Sequence, residues 1–156
     1  MAFYAGCSTT PPGGKPSLLP FRDSNPCSRF GPARIDILPI TSIVPASASD
    51  RDASINTYVC LIDAFDSQIK SPVIFRFELF QRLQRSSDPK GKRLIVWPDF
   101  DLTDPAANNN HWQDFLRAYL FSLPLQKSSA DNCILQVTVI CPSGKRLTAD
   151  FIVRSK

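Results

Sequence analysis

The 156-residue chain has one histidine, His111. That scarcity rules out multi-histidine metal sites and leaves a single imidazole as a base. No Gly-x-Ser-x-Gly occurs, so the strained nucleophile elbow of serine hydrolases is missing. His-Glu-x-x-His and the phosphate-binding loop are missing too. The five cysteines include no Cys-x-x-Cys, which argues against zinc ribbons and thioredoxin-type redox centres. No apolar run approaches the roughly 18 residues of a membrane-crossing helix. A strong charge of one sign is also lacking. Eighteen basic residues face 14 acidic ones, for a net +4, and nucleic acid is not an expected partner. The basic clusters Lys90-Lys92-Arg93 and Lys145-Arg146 fall in turns, where lysine keeps sheet ends soluble.

What is present is apolar patterning in short strands. Phe75, Phe77 and Leu79 alternate with Arg76 and Glu78, the period of a strand with one buried face. Other strands are expected at Arg34–Leu38, Asn56–Ala64, Arg93–Trp97 and up to Leu123. The stretch from Asn56 is apolar on both parities, as in a central strand. Trp112, Phe115, Leu116 and Tyr119 fit helical spacing, so a short helical turn is predicted near 111–116. The clearest piece is the last hairpin. Cys133, Leu135, Val137, Val139 and Cys141 share one face, and Leu147, Ala149, Phe151 and Val153 share another. A three-residue loop Pro142-Ser143-Gly144 pairs Val139 with Leu147 and brings both apolar sets to one side. A two-residue loop would oppose them.

These readings give an all-β chain: an antiparallel two-sheet β-sandwich of about seven strands, immunoglobulin-like or C2-like. Residues 34–156 form the sandwich. Residues 1–33 are rich in Pro, Ser and Gly and read as a disordered leader or tether.

Within the domain, Asp99, Asp101 and Asp104 form Asp-x-Asp-x-x-Asp between strands, and Asp63 and Asp66 lie in another loop. Calcium takes several hard oxygens from flexible loops, so these five are candidate calcium ligands. The competing reading is that aspartates beside proline are turn formers. Among the cysteines, Cys133 and Cys141 are roughly 26 Å apart on a straight strand and cannot pair with each other. Cys60 with Cys133 or Cys141 is a candidate disulfide across the core. The alternative is buried free thiols.

At the N-terminus, Tyr4-Ala5-Gly6-Cys7 resembles the bacterial lipobox, with Tyr4 where an aliphatic residue is usual. The resemblance implies cleavage before Cys7 and a diacylglycerol on its sulfur, which would anchor the chain to a membrane. An upstream start would supply the charged and apolar segments of a signal peptide. Four further stretches carry a second resemblance. They are Phe75–Phe80, Pro89-Lys90-Gly91-Lys92-Arg93 with Trp97-Pro98-Asp99, Asp101-Leu102-Thr103-Asp104-Pro105, and Trp112 with Asp114–Tyr119. Together they resemble a group of uncharacterised bacterial envelope lipoproteins over roughly residues 34 to 153. That implies an anchored extracytoplasmic β domain.

The expected function is therefore a binding or structural module of the cell envelope, held by Cys7 and facing an envelope protein or polysaccharide. The alternative is a calcium-assisted binder of carbohydrate, lipid or protein through the Asp99–Asp104 loop. An envelope enzyme using His111 or a carboxylate pair ranks below both. Without lipidation, the expectation becomes a cytoplasmic interaction domain with reduced thiols.

Overall fold

A computed structural model describes residues 30–46, 53–125 and 132–153. Cys7, Cys27 and nearly all of the leader lie outside the described residues. In chain order the elements are β1 (Arg34–Ile37), β2 (Ser42–Val44), β3 (Ala53–Ile62), β4 (Gln68–Ile69), β5 (Ile74–Arg82) and β6 (Lys90–Val96). They continue with β7 (Phe100–Asp101), α1 (Pro105–His111), β8 (Trp112–Gln113), β9 (Ala118–Leu125), β10 (Cys133–Ile140) and β11 (Arg146–Val153).

Two antiparallel sheets pack face to face, as expected of a β-sandwich. One runs β1-β3-β9-β8, with β2 and β4 also paired to β3. The other runs β11-β10-β5-β6, with β7 also paired to β5. If β1 and β2 are taken as one interrupted strand, and β6 and β7 as another, the strand order matches A-B-E-D against G-F-C-C′ of immunoglobulin-type sandwiches. The inter-sheet cystine of antibody domains has no counterpart among the described residues. Val59 and Leu61 hold the inward positions of β3, and Leu135 and Val137 those of β10.

Period-two patterning explains the core. Phe75, Phe77 and Leu79 are fully buried, as are Val59, Leu61, Phe121, Leu123, Leu135, Val137 and Val139. Phe121 lies 4.8 Å from Phe75 and 4.7 Å from Phe77, ring centre to ring centre, and so joins the sheets. β3 is buried on both faces at its end, because Cys60 and Ile62 meet Ala118, Leu38 and Leu116 on the outer side. The last hairpin has the expected register, Val139 opposite Leu147, Val137 opposite Ala149 and Leu135 opposite Phe151. Gly144 N–H donates to Cys141 O at 2.8 Å, and φ of +82° puts Gly144 in the left-handed region that only glycine enters freely.

Two local expectations are corrected. The helix is Pro105–His111 rather than a turn at 111–116. Asp104 caps it by accepting from Ala107 N–H at 2.9 Å, and Pro105 occupies the first turn, where a missing N–H costs nothing. Trp112 and Tyr119 are instead cross-strand partners, and Phe115 is 97% exposed at the tip of the β8–β9 turn. In addition, β9 passes through Pro124. Pro124 O accepts from Trp97 Nε1–H at 2.9 Å. The amide and carbonyl of a strand residue point the same way, so the missing N–H of Pro124 faces away from β3 and breaks no ladder bond.

Candidate functional site

The sequence-predicted residues come first. Asp99 accepts two bonds from the Arg76 guanidinium, at 2.9 and 2.8 Å, and Arg76 holds its carboxyl below the usual range. Asp101 accepts from Thr103 Oγ1 and N, at 2.6 and 3.0 Å, and these bonds lower its carboxyl too. Asp104 is the helix cap described above. Asp63 is buried and accepts from Phe65 N–H and Ser67 N–H, at 2.8 and 2.9 Å, which closes the β3–β4 turn. Asp66 is ion-paired with Arg34.

The five aspartates do not converge. Asp66 is held at the β1 edge, and β1 packs beside β11. Asp101 sits on β7, at the opposite edge of the second sheet. Among the described residues no group of three or more His, Cys, Asp or Glu could hold a metal ion. Each of the five carboxylates is engaged by protein groups, Asp63, Asp101 and Asp104 within their own loops and Asp66 and Asp99 by arginines of β1 and β5.

The cysteine expectation is also corrected. Cys60 faces outward from its sheet, whereas Cys133 and Cys141 face the core, so the sheet itself separates Cys60 from both. Cys60 and Cys141 are free thiols. Burial raises the pKa of each, and the nearby Asp36 carboxylate adds to the effect at Cys60. His111 is engaged structurally. Its Nδ1 lies 2.9 Å from Leu120 O, and the ring stacks on Phe121 at 4.8 Å. A carbonyl can only accept, so Nδ1 carries the proton.

The site itself lies at the edge where α1 joins the two sheets. Its base is a polar cluster inside an otherwise apolar wall. Asn108 is buried and donates through Nδ2 to Ser71 O at 2.9 Å and to Leu102 O at 2.8 Å. Its Oδ1 accepts from the Tyr119 hydroxyl at 3.0 Å. Tyr119 Oη in turn accepts from Ser71 N–H at 3.0 Å. Burial pushes the Tyr119 phenol up, against the opposing pull of these hydrogen bonds. α1, the 70–73 segment and β9 are therefore fixed to one another by buried bonds, each of which is costly to leave unmade.

Two clefts open beside this cluster and meet at Lys70. One, of about 340 Å³, has Leu102, Pro105 and Asn108 in its wall. The other, of about 510 Å³, is lined by Gln68, Ile69, Lys70, Trp112, Asp114 and Arg117. Both volumes fall in the range of small-ligand clefts, about 300–1,000 Å³. Lys70 Nζ donates to Asn109 Oδ1 at 2.9 Å and lies 5.0 Å from the centre of the Trp112 ring. Trp112 Nε1–H donates to Asp114 Oδ1 at 2.8 Å, and the indole meets Tyr119 edge-on at 5.1 Å. Arg117 donates to Gln68 O at 2.9 Å and so ties the β8–β9 turn to β4. Its φ of +49° is left-handed. Among the described residues neither Lys70 nor Arg117 meets a carboxylate within 4 Å.

Sequence reading missed Lys70, Gln68 and Arg117. They sit in short turns without periodic signal and are brought together only by the β3–β4 and β8–β9 pairings. Comparison with protein-family models, curated proteins and solved structures finds no match to this chain.

Proposed function

We propose that this chain is a ligand-binding β-sandwich module of the bacterial cell envelope, held by a lipid on Cys7, with the clefts around Lys70 as its recognition surface. The observation that carries the binding half is the pairing of an indole with two cations that lack carboxylate partners among the described residues, in one cleft of about 510 Å³. Cations held only by neutral groups, as Lys70 is by Asn109 and Arg117 by Gln68 O, keep their charge available to an anionic ligand. Tryptophan supplies a flat apolar surface at little entropic cost. The anchoring half rests on Tyr4-Ala5-Gly6-Cys7 and on the Pro- and Gly-rich stretch behind it, which suits a spacer between membrane and domain.

The test uses the gene with its upstream DNA in a bacterial host fed labelled palmitate. Label in the protein, lost in Cys7→Ser, is the expected result, together with recovery in the membrane fraction. Unlabelled protein in the soluble cytoplasm would overturn the anchor. For the binding half, envelope extract is passed over the immobilised full chain and over Lys70→Gln. Retained material that depends on Lys70 is expected. Retention identical for both proteins would remove the cleft from the proposal.

A further inference from the structure

We infer that the larger cleft takes a carboxylate-bearing saccharide, the kind of acidic sugar unit that uronic acids present. The inference rests on reading this cleft as a recognition surface and names the chemistry it selects. Three features of the lining point the same way.

The first is charge. Lys70 and Arg117 both line the cleft, one from the segment after β4 and the other from the β8–β9 turn, and neither meets a carboxylate within 4 Å among the described residues. Arg117 is already oriented by its bond to Gln68 O, which leaves its other guanidinium N–H groups for a ligand. A guanidinium fork and an ammonium together fit one carboxylate, and charge-assisted bonds of this kind are the strong ones. The net charge of +4 is too small to draw polyanions in general, so selectivity has to come from this local pair.

The second is the mixed donor and acceptor character of the rest. Asp114 accepts, while the Gln68 side-chain amide, whose Nε2 also reaches Cys60 Sγ at 3.4 Å, offers both functions. Sugar hydroxyls both donate and accept, and such groups match them. With Lys70, Arg117 and Asp114 in the lining the cleft keeps a single net positive charge, which suits a singly charged carboxylate better than a dianionic phosphate.

The third is Trp112. It is half-buried and packs against the core and Tyr119, while the Lys70 ammonium lies over the ring, 5.0 Å from its centre. A lysine at the surface is a mobile cover. When it swings to a ligand carboxylate, it uncovers the indole for the C–H face of a pyranose ring. The anionic group and the stacking platform are thereby coupled, and a neutral sugar has to displace the ammonium without compensation.

The experiment is titration calorimetry on the full 156-residue chain with three probes of similar size. They are trigalacturonate, neutral galactotriose and triglutamate. Trigalacturonate is expected to bind at least about tenfold more tightly than either of the others. Lys70→Gln and Arg117→Asn are each expected to weaken it about tenfold or more, as for loss of one charged hydrogen bond. Asparagine tolerates the left-handed backbone at position 117, so that variant keeps the turn. Circular dichroism and melting confirm that both variants fold. Equal binding of galactotriose, lost in the same variants, would overturn the acidic class and leave the cleft as a saccharide site. Equal binding of triglutamate would overturn the saccharide. Trigalacturonate binding untouched by both variants, or no binding of any probe, would overturn the inference. The Lys70-dependent capture of envelope material described above then decides separately whether the recognition surface stands.

Discussion

The two lateral edges of the sandwich are closed by different chemistry. At one, β1 packs beside β11, with Ile35 buried and Val153 almost fully so. A polar tie across it among the described residues is Lys145 Nζ donating to Pro32 O at 3.0 Å. At the other edge, α1 spans from β7 to β8 and is fastened by Asn108, Tyr119 and Ser71. Apolar contact fills its own gap, and that edge is simply part of the core. A polar fastening holds elements at fixed distances without filling the space beside them, and both clefts open there. One edge serves the fold. The other keeps a surface concave.

Substitutions sharpen this contrast. The largest effect is expected at the apolar edge. Ile35→Ala should cost about 3 kcal/mol in urea unfolding, from lost burial and a residual cavity, while leaving amide resonances of the Lys70 cleft in place. Asn108→Ala should cost about 2 kcal/mol, because Ser71 O, Leu102 O and the Tyr119 hydroxyl all lose a buried partner. Unlike the first variant, it should also move the cleft resonances. If both variants disturbed the cleft equally, the division of labour between the edges would be wrong.

Smaller effects follow away from either fastening. Thr57 is fully buried, and its Oγ1 has no hydrogen-bond partner among the described residues. Thr57→Val should therefore stabilise by about 1 kcal/mol, read as a higher urea midpoint. Lys70→Gln should change stability by less than about 0.5 kcal/mol, since Lys70 is an exposed side chain. Asp99→Asn gives a pH signature. The Asp99 carboxyl is depressed by Arg76, so its contribution is present above the ordinary value of 3.8 and is lost as pH falls through the folded-state pKa. Wild type and variant should differ slightly in melting temperature at neutral pH and converge below 3.8. A gap that widened on acidification would contradict the ion pair.

The strands of the core were legible in the sequence because burial writes itself as alternation. Phe75, Phe77 and Leu79 declare their face, and the Val139–Leu147 register follows from the one loop length that puts apolar residues together. The helix was hidden because Pro105–His111 is mostly polar, with Asn108 as its buried member. Its Asp104-Pro105 start was a readable cap, but the stronger apolar spacing of Trp112, Phe115 and Tyr119 drew the prediction downstream. Phe115 is exposed and Tyr119 is on a strand, so that spacing was coincidental. Parity also decided the cysteines. Cys60 belongs with Tyr58 and Ile62 on one parity of β3, and that is the outer one. The Lys70 cleft was not legible, because its lining comes from two hairpins far apart in the chain.

The most direct test of the central contrast is an amide and indole NMR map of the chain titrated with trigalacturonate. The Trp112 indole N–H, Lys70, Gln68 and Arg117 are expected to shift together in a saturable manner, while Ile35, Val153 and their neighbours at the β1–β11 edge stay fixed. Shifts confined to the β1–β11 edge, or spread evenly over both edges, would contradict the account.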